Sequence, residues 1–205
     1  MKETDKISLL NSAKELYLKY GVKSVSMDDI AKVLGISKKT IYNIVSNKQD
    51  LVHAAVSSYI QEEEKTYQKL SNDSLNALEE IISIARHAVK ALKKIKPNLT
   101  YDLKKYHPKT WTIVERDHFL FIEQTITKNL RRGIEEGFYR QNLRIDIIPK
   151  LYVSLTRLVI DDDLFKGQNI SQVDIYNTII KYHLNGIITN KGRKKLEKHL
   201  NQATL

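Results

Sequence analysis

The sequence predicts an all-α protein of about nine helices, because apolar residues recur at the three- and four-residue spacing of amphipathic helices. Leu, Ile, Lys, Glu and Ala dominate the 205 residues, and no sustained alternation of apolar and polar residues indicates a strand. Three prolines and seven glycines are few, so the predicted helices meet few breaks. The chain is long enough to bury its own core.

The first predicted helix covers residues 5–20, with apolar residues on one stripe, and ends at Gly21. The second begins at Ser26, where Asp29 three residues later completes a sequence similar to a capping box. Gly35 supplies the backbone freedom for a sharp turn after this helix. Ser37 then caps a third helix over residues 38–45.

Two short helices joined by a tight glycine turn are typical of a helix-turn-helix, in which the second helix enters the major groove of DNA. On the second helix of this motif, residues 38–45, Ile41 and Ile44 are expected to face the core, while the polar side chains face outward. The stretch 30–49 contains four lysines and no acidic residue, within a chain of net charge +10. This local excess of positive charge favours contact with phosphates.

Six further helices are predicted, over residues 47–69, 73–95, 97–106, 109–136, 146–165 and 171–188. Asn47 caps the first of them, and Pro149 falls in a first turn, where a missing N–H is tolerated. Gly137 and Gly167 mark helix exits. The basic residues 190–195 are expected to form a solvated, partly disordered tail, with contact to nucleic acid as the alternative.

Several classes of protein are disfavoured by the sequence. The absence of cysteine excludes disulfides and thiolate metal sites, and no His or Asp group has the spacing of a metal site, so no metal or cofactor is expected. No apolar run approaches the roughly 20 residues of a membrane span, and no apolar leader follows the N-terminal MKETDK. We therefore expect a cytoplasmic protein without a membrane partner.

Residues 9–51 resemble the N-terminal DNA-binding domain of TetR/AcrR-type transcriptional regulators. The resemblance rests on the joint spacing of these residues across more than forty positions: Leu9, Leu10, Ala13, Leu16, Gly21, Ser26, Ile30, Ala31, Gly35, Ser37, Thr40, Tyr42, Lys48 and Leu51. It implies a helix-turn-helix domain over 1–52, with the motif at about 26–45. It also implies a helical ligand-binding and dimerisation domain over 53–190, followed by a basic tail over 191–205.

The resemblance also implies residue roles. Ser26, Thr40, Tyr42 and Lys48 are expected to contact phosphates, whereas Lys38, Lys39 and Asn43 are candidates for base contact. Ser37 is included in the predicted interface as the cap of the recognition helix. The family usually has an aromatic residue or His before a Phe where this chain has Ile44 and Val45, which puts the usual docking at that end of the helix in question.

In the C-terminal part, the last two predicted helices have broad apolar faces. A four-helix contact between two copies would place two recognition helices about 34 Å apart, so we predict a homodimer on a palindromic operator. The residues predicted for this contact are Leu151, Leu155, Leu158, Ile175, Ile179 and Ile180. The same residues also fit an intramolecular core.

Aromatic residues cluster between positions 101 and 121, where a cavity would suit an apolar or amphipathic effector. The predicted ligand-binding residues are Tyr101, Tyr106, Trp111, Phe119 and Ile122. Ordinary core aromatics explain the same pattern. A ligand-responsive repressor is therefore the leading prediction, and an activator stays open.

Two other functions remain. A charge-driven, sequence-independent DNA-binding protein needs only the net charge. An enzyme is disfavoured, because no phosphate loop, HExxH, GxSxG or dinucleotide fingerprint occurs.

Overall fold

A computed structural model describes residues 3–96, 98–160, 164–165 and 167–202, and it confirms the all-helical prediction. For residues 3–4 and 198–202 the structure describes the backbone alone. The α-helices are α1 Glu3–Tyr20, α2 Met27–Leu34, α3 Lys38–Tyr42, α4 Lys48–Asp73, α5 Ala77–Leu92, α6 Asn98–Tyr106, α7 Pro108–Ile113, α8 Phe119–Glu135, α9 Ile148–Arg157, α10 Gln172–Ile187 and α11 Asn190–Gln202.

The predicted helix limits at Gly21, Ser26, Gly35 and Ser37 are confirmed. Gly21 follows α1 with φ +81°, and Gly35 follows α2 with φ +64°, a left-handed conformation in which glycine carries no Cβ penalty. The capping box is present at Ser26 and Asp29, and Ser37 caps α3 by accepting a hydrogen bond from the Thr40 N–H. Local polar chemistry therefore sets the limits of α2 and α3.

The chain packs as two compact units. Residues up to Lys65 together with Lys94–His118 form the N-terminal unit. Its core is formed by apolar residues of α1 to α4, including the fully buried Leu9, Ile30 and Ile41, and Leu103 of α6 packs against them. The helix-turn-helix thus rests on a core to which α6 contributes.

Thr66–Lys93 and the chain from Phe119 onward form the C-terminal unit. Its core contains residues of α5, α8, α9 and α10, among them the fully buried Leu78, Ile81 and Leu130. This packing division is a different property from the predicted functional domains 1–52, 53–190 and 191–205, which stay a prediction.

Several element boundaries differ from the sequence prediction. α3 ends at Tyr42 rather than near residue 45, and α9 passes at Leu158–Ile160 into a 3₁₀ turn. The predicted helix over 109–136 consists of α7, a π-helical segment Val114–His118 and α8. Residue 97 at one predicted helix start, and residues 161–163 within another predicted helix, lie outside the described residues.

The predicted partial disorder of the tail is wrong over its described part, because residues 190–202 form α11. The partly buried Leu196 packs against the C-terminal core, and the Lys195 Nζ lies 3.1 Å from a carboxylate oxygen of Glu79. Leu196 is the side chain of the described part of α11 that packs on this core. The basic composition of the segment concealed it.

Candidate nucleic-acid interface

The recognition surface is built on α3, whose inward side is fixed by Ile41. Ile41 is fully buried in the N-terminal core, so the opposite side of the same helix faces solvent. On that exposed side lie Lys39, Tyr42 and Asn43, and Tyr42 is 44% exposed. The structure therefore presents together three of the eight side chains that the sequence analysis assigned to DNA contact.

The hydroxyl groups of Ser26, Ser37 and Thr40, which are predicted at the interface, also form hydrogen bonds within the protein. Ser26 Oγ accepts a hydrogen bond from the Asp29 N–H at 3.1 Å and donates to the Asp29 carboxylate at 2.7 Å. The hydrogen bonds that the Ser26 hydroxyl and the Ser26 N–H donate to the carboxylate hold the pKa of Asp29 below its usual value. Ser37 Oγ lies 2.9 Å from Thr40 Oγ1. The hydroxyl oxygens of Ser26 and Ser37 thus accept capping hydrogen bonds. A phosphate contact by either serine would involve the same oxygen atom.

Lys38 is not an isolated cation on this surface. Its Nζ donates to Asp28 Oδ2 at 2.8 Å, which links α3 to α2 and raises the pKa of Lys38. Both side chains are largely exposed, so the pair contributes little to stability. Counting charges in the acid-free stretch 30–49 missed this pair, because Asp28 lies just before the stretch.

Lys48, at the start of α4, has a second role. Its Nζ donates to the Val22 carbonyl at 2.7 Å, which ties α4 to the loop after α1. Partial burial lowers the pKa of Lys48. The ammonium group therefore both closes the α1–α2 loop and lies at the predicted edge of the DNA surface.

The departure at Ile44 and Val45 is accommodated by packing. Val45 is 9% exposed and belongs to the N-terminal core, whereas Ile44 is half-buried against it. A smaller aliphatic side chain thus fills the core position after α3.

Sequence reasoning missed the contribution of α6 to this region. Asp102 is buried, and its Oδ2 accepts a hydrogen bond from the Lys23 N–H at 2.9 Å. His107, just after α6, has its pKa lowered by burial and then by the positive charge of Lys48. The C-terminal end of α6 therefore lies beside the α1–α2 loop, a proximity that no local sequence signal announces.

Residues 9–55 match the family described as bacterial regulatory proteins, tetR family. These are the residues that form α1 to α3 and the start of α4. The chain thus carries the DNA-binding domain of the TetR family of transcriptional regulators. Accordingly, it is a DNA-binding regulator and not an enzyme.

Three known proteins show how far the likeness of this TetR-family regulator extends. The uncharacterized HTH-type transcriptional regulator YvaF of Bacillus subtilis is 27% identical over 169 residues, which cover 82% of this chain and 88% of YvaF. The HTH-type transcriptional repressor KstR2 of Mycobacterium tuberculosis is 20% identical over 68% of this chain and 72% of its own. A Saccharomonospora viridis protein solved in complex with choline has a TM-score of 0.74 at 16% identity, covering 92% and 100% of the two chains.

The predicted ligand-binding residues of this TetR-family chain belong to both compact units. In the N-terminal unit Tyr101 and Tyr106 are exposed, while Trp111 is partly buried with the Lys104 Nζ 5.0 Å from its ring centroid. In the C-terminal unit Phe119 is buried beneath the Arg157 guanidinium, and Ile122 packs against the core. Their role in ligand binding stays a prediction.

A buried polar-aromatic group in the C-terminal unit was missed. The Tyr152 and Tyr176 hydroxyls lie 3.3 Å apart, and the His183 ring meets Tyr152 edge-on at 4.8 Å. Burial lowers the pKa of His183 to about 4, and within the described part of the chain its Nε2 has no hydrogen-bond partner. The spacing of Tyr176 and His183, seven residues apart on α10, was the available signal.

The predicted dimer residues are unequally available. Ile179 and Ile180 are each 7% exposed and belong to the core of the C-terminal unit. Leu155, Leu158 and Ile175 are partly buried, whereas Leu151 is 56% exposed. The intramolecular interpretation therefore accounts for the two isoleucines within the monomer.

Among the residues that the structure describes, no helix is long and apolar enough to cross a membrane, and no group of three potential ligands could hold a metal.

Proposed function

We propose that this TetR-family regulator is a repressor that binds a palindromic operator as a homodimer and releases it when a small molecule binds. The observation that carries the proposal is the exposed side of α3. Lys39, Tyr42 and Asn43 are exposed there, while Ile41 on the other side of the helix is buried. A side chain held on a capped helix reaches base edges at a defined register. Repression is supported by the likeness to a named repressor.

Dimerisation is supported by apolar side chains that the monomer leaves in water. Leu151 is 56% exposed on α9, Tyr182 is 74% exposed on α10, and Ile147 just before α9 is 40% exposed. Their burial against a second copy would recover about 25 cal/mol for each Å² of apolar surface removed from water. A two-fold axis then doubles the recognition helices and matches a palindromic site.

Effector binding is supported by the polar-aromatic group of Tyr152, Tyr176 and His183. A buried imidazole nitrogen without a partner costs free energy, which a ligand atom that hydrogen-bonds to it would recover. That one protein of the same fold was solved with choline agrees with a small-molecule effector. We expect a coupling of about 1 to 3 kcal/mol, or about 5- to 150-fold in DNA affinity.

The test is selection of bound fragments from genomic or random duplexes with purified protein at near-physiological salt. We expect recovery of a two-fold symmetric motif with half-sites about one helical turn apart or a multiple of it. The position of the motif in the genome would then indicate the regulated genes and a set of effectors to test for release.

Binding without a recovered motif would contradict the proposal and favour charge-driven association. In that case excess random DNA would compete fully, and rising salt would abolish all affinity. A symmetric motif that resists random competitor DNA excludes this alternative.

A further inference from the structure

A second basic surface lies in the N-terminal unit, apart from the recognition helix. Residues 94–109 contain five lysines and one acidic residue, Asp102. Asp102 is only 3% exposed, and its carboxylate is held by the Lys23 N–H. The acid is thus withdrawn from the surface, while the lysines around it stay in solvent.

Lys105 of this segment and Lys23 of the α1–α2 loop both lie beside exposed aromatic rings. The Lys23 Nζ lies 5.3 Å from the Tyr106 ring centroid, and the Lys105 Nζ lies 5.6 Å from the same centroid. Lys105 also donates to the Tyr101 hydroxyl at 2.7 Å. We call Lys23, Tyr101, Lys105 and Tyr106 the α6 basic face.

The arrangement favours a polyanion. Two ammonium groups that share one ring repel each other, and among the described residues neither forms an ion pair with a carboxylate. The rings restrict the two long side chains, so less conformational entropy remains to be lost on binding. An anion between or above the two groups would relieve their repulsion.

The α6 basic face is continuous with the predicted DNA contacts. The Lys48 Nζ holds the carbonyl of Val22, the residue before Lys23, and the α2 cap Ser26 follows three residues after Lys23. The pKa of His107, next to Tyr106, is lowered by burial and then by the positive charge of Lys48. Successive phosphates of a DNA strand are spaced by roughly 3.4 Å of helix axis. If the strand contacts Ser26 and Lys48, its phosphates in one of the two directions come closer to this face.

We propose that the α6 basic face binds backbone phosphates of the duplex flanking each operator half-site, outside the base pairs contacted by α3. This inference rests on the proposed operator binding and extends it. Lys23 and Lys105 contribute affinity and salt dependence at the flank and no base preference, because they contact phosphate rather than base edges. The occupant is the duplex that continues from the operator.

The test compares two operator duplexes that share the selected motif. The short duplex ends at the outer edge of the motif, and the long duplex extends it by about six base pairs, roughly 20 Å, on each side. Dissociation constants are measured over a range of salt for the wild-type chain and for the double variant Lys23→Gln/Lys105→Gln. The matched control, Lys69→Gln/Lys128→Gln, removes two exposed lysines of the C-terminal unit.

We expect the wild-type chain to bind the long duplex more tightly and with a steeper salt dependence than the short one. The double variant should lose this advantage, with the logarithmic salt slope smaller by about 0.9 for each lost phosphate contact. Its affinity for the short duplex, and its base preference, should match the wild-type values. The control should behave as the wild-type chain on both duplexes, and Lys23→Arg/Lys105→Arg should retain the flank contribution.

Equal losses on the short and long duplexes would overturn the proposal, since they indicate a general effect of charge. An unchanged long-duplex advantage in the double variant would overturn it too. If the wild-type chain does not distinguish the operator from a scrambled duplex, operator binding itself fails and this inference falls with it. Thermal unfolding of each variant identifies loss of fold, and the arginine variant then provides the comparison.

Discussion

On α3, neighbouring polar side chains have different freedom. Ser37 and Thr40 are engaged with each other and with the helix N-terminus, and Lys38 is paired with Asp28. Lys39 and Tyr42 are exposed, without a hydrogen bond to another side chain in the described part of the chain. We infer that these two are the side chains most ready to contact DNA, at no cost of breaking a contact within the protein.

Replacing Lys39 with Ala should weaken operator binding by about 1 to 3 kcal/mol and relax preference at particular base positions. Tyr42→Phe should instead weaken binding to all sequences alike, because it removes a hydroxyl that is predicted to contact phosphate. Binding measured on a panel of single-base operator variants separates the two patterns. A Lys39→Ala profile parallel to the wild-type profile would refute base contact by this lysine.

Gly133 on α8 is required by a close contact. A Cβ at this position would overlap the ring of Tyr139, which is buried and whose hydroxyl hydrogen-bonds to Asn129 Oδ1 at 2.9 Å and to the Ala77 carbonyl. Gly133→Ala should therefore destabilise the protein by about 1 to 3 kcal/mol. Gly186→Ala on α10 meets open space and should stabilise it by up to about 1 kcal/mol. Thermal or urea unfolding checks both, and equal stabilities would contradict the packing argument.

At the scale of elements, α2 and α10 begin with the same device. Ser26 with Asp29 and Ser171 with Asp174 form complete capping boxes, and both acids have their pKa lowered by the serine hydrogen bonds. Each box satisfies N–H groups that the first helical turn leaves without partners. The two boxes differ in position: one lies at the predicted DNA surface and the other in the C-terminal unit.

Ser26→Ala and Ser171→Ala should each cost about 1 kcal/mol of folding stability through loss of the cap. Only Ser26→Ala should also weaken DNA binding, because its hydroxyl is a predicted phosphate contact. Urea unfolding combined with DNA titration well below the unfolding midpoint separates the effects. Weakened DNA binding in the Ser171→Ala protein would show that capping alone explains the loss.

For the whole molecule, the buried His183 and the partly buried His118 predict a dependence of stability on pH. Burial lowers the pKa of His118 and of His183 to about 4 in the folded protein. The unfolded chain, with an imidazole pKa of about 6.5, then binds more protons between these values. Stability is fully present above about pH 6.5 and falls as the pH is lowered toward 4, by on the order of 3 kcal/mol for each histidine.

The measurement is the unfolding free energy between pH 4.5 and 7.5. His183→Phe keeps a ring against Tyr152 and should flatten the slope by about half, whereas His53→Gln at an exposed position should leave it unchanged. An unaltered slope in His183→Phe would show that the pKa of His183 is the same in the folded and the unfolded protein.

Assembly is the second property of the whole molecule that can be tested. Leu151→Asp should convert a dimer into a monomer, because a carboxylate would be buried at the proposed contact. Leu75→Asp is the matched control, since Leu75 is 83% exposed in the segment between α4 and α5. Sedimentation velocity of both variants at micromolar concentration provides the measurement. Dimers of equal strength in both would place the contact elsewhere.

Local chemistry explains what the sequence predicted well. These features are local: helical periodicity, the caps at Ser26 and Ser37 and the turn at Gly35. Each involves residues within a few positions of each other, so each can be predicted from the sequence. The same is true of the polar side of α3. Fold class, the helix-turn-helix and its exposed residues were therefore determined by the sequence itself.

Only the tertiary structure decided which distant residues meet. The pairing of Lys38 with Asp28, the placement of α6 beside Lys23, and the approach of Tyr152 to His183 each depend on how helices pack. The packing of α11 was hidden in the same way by its lysines. Long-range contacts are set by the shapes and burial of whole helix faces, which local spacing does not encode.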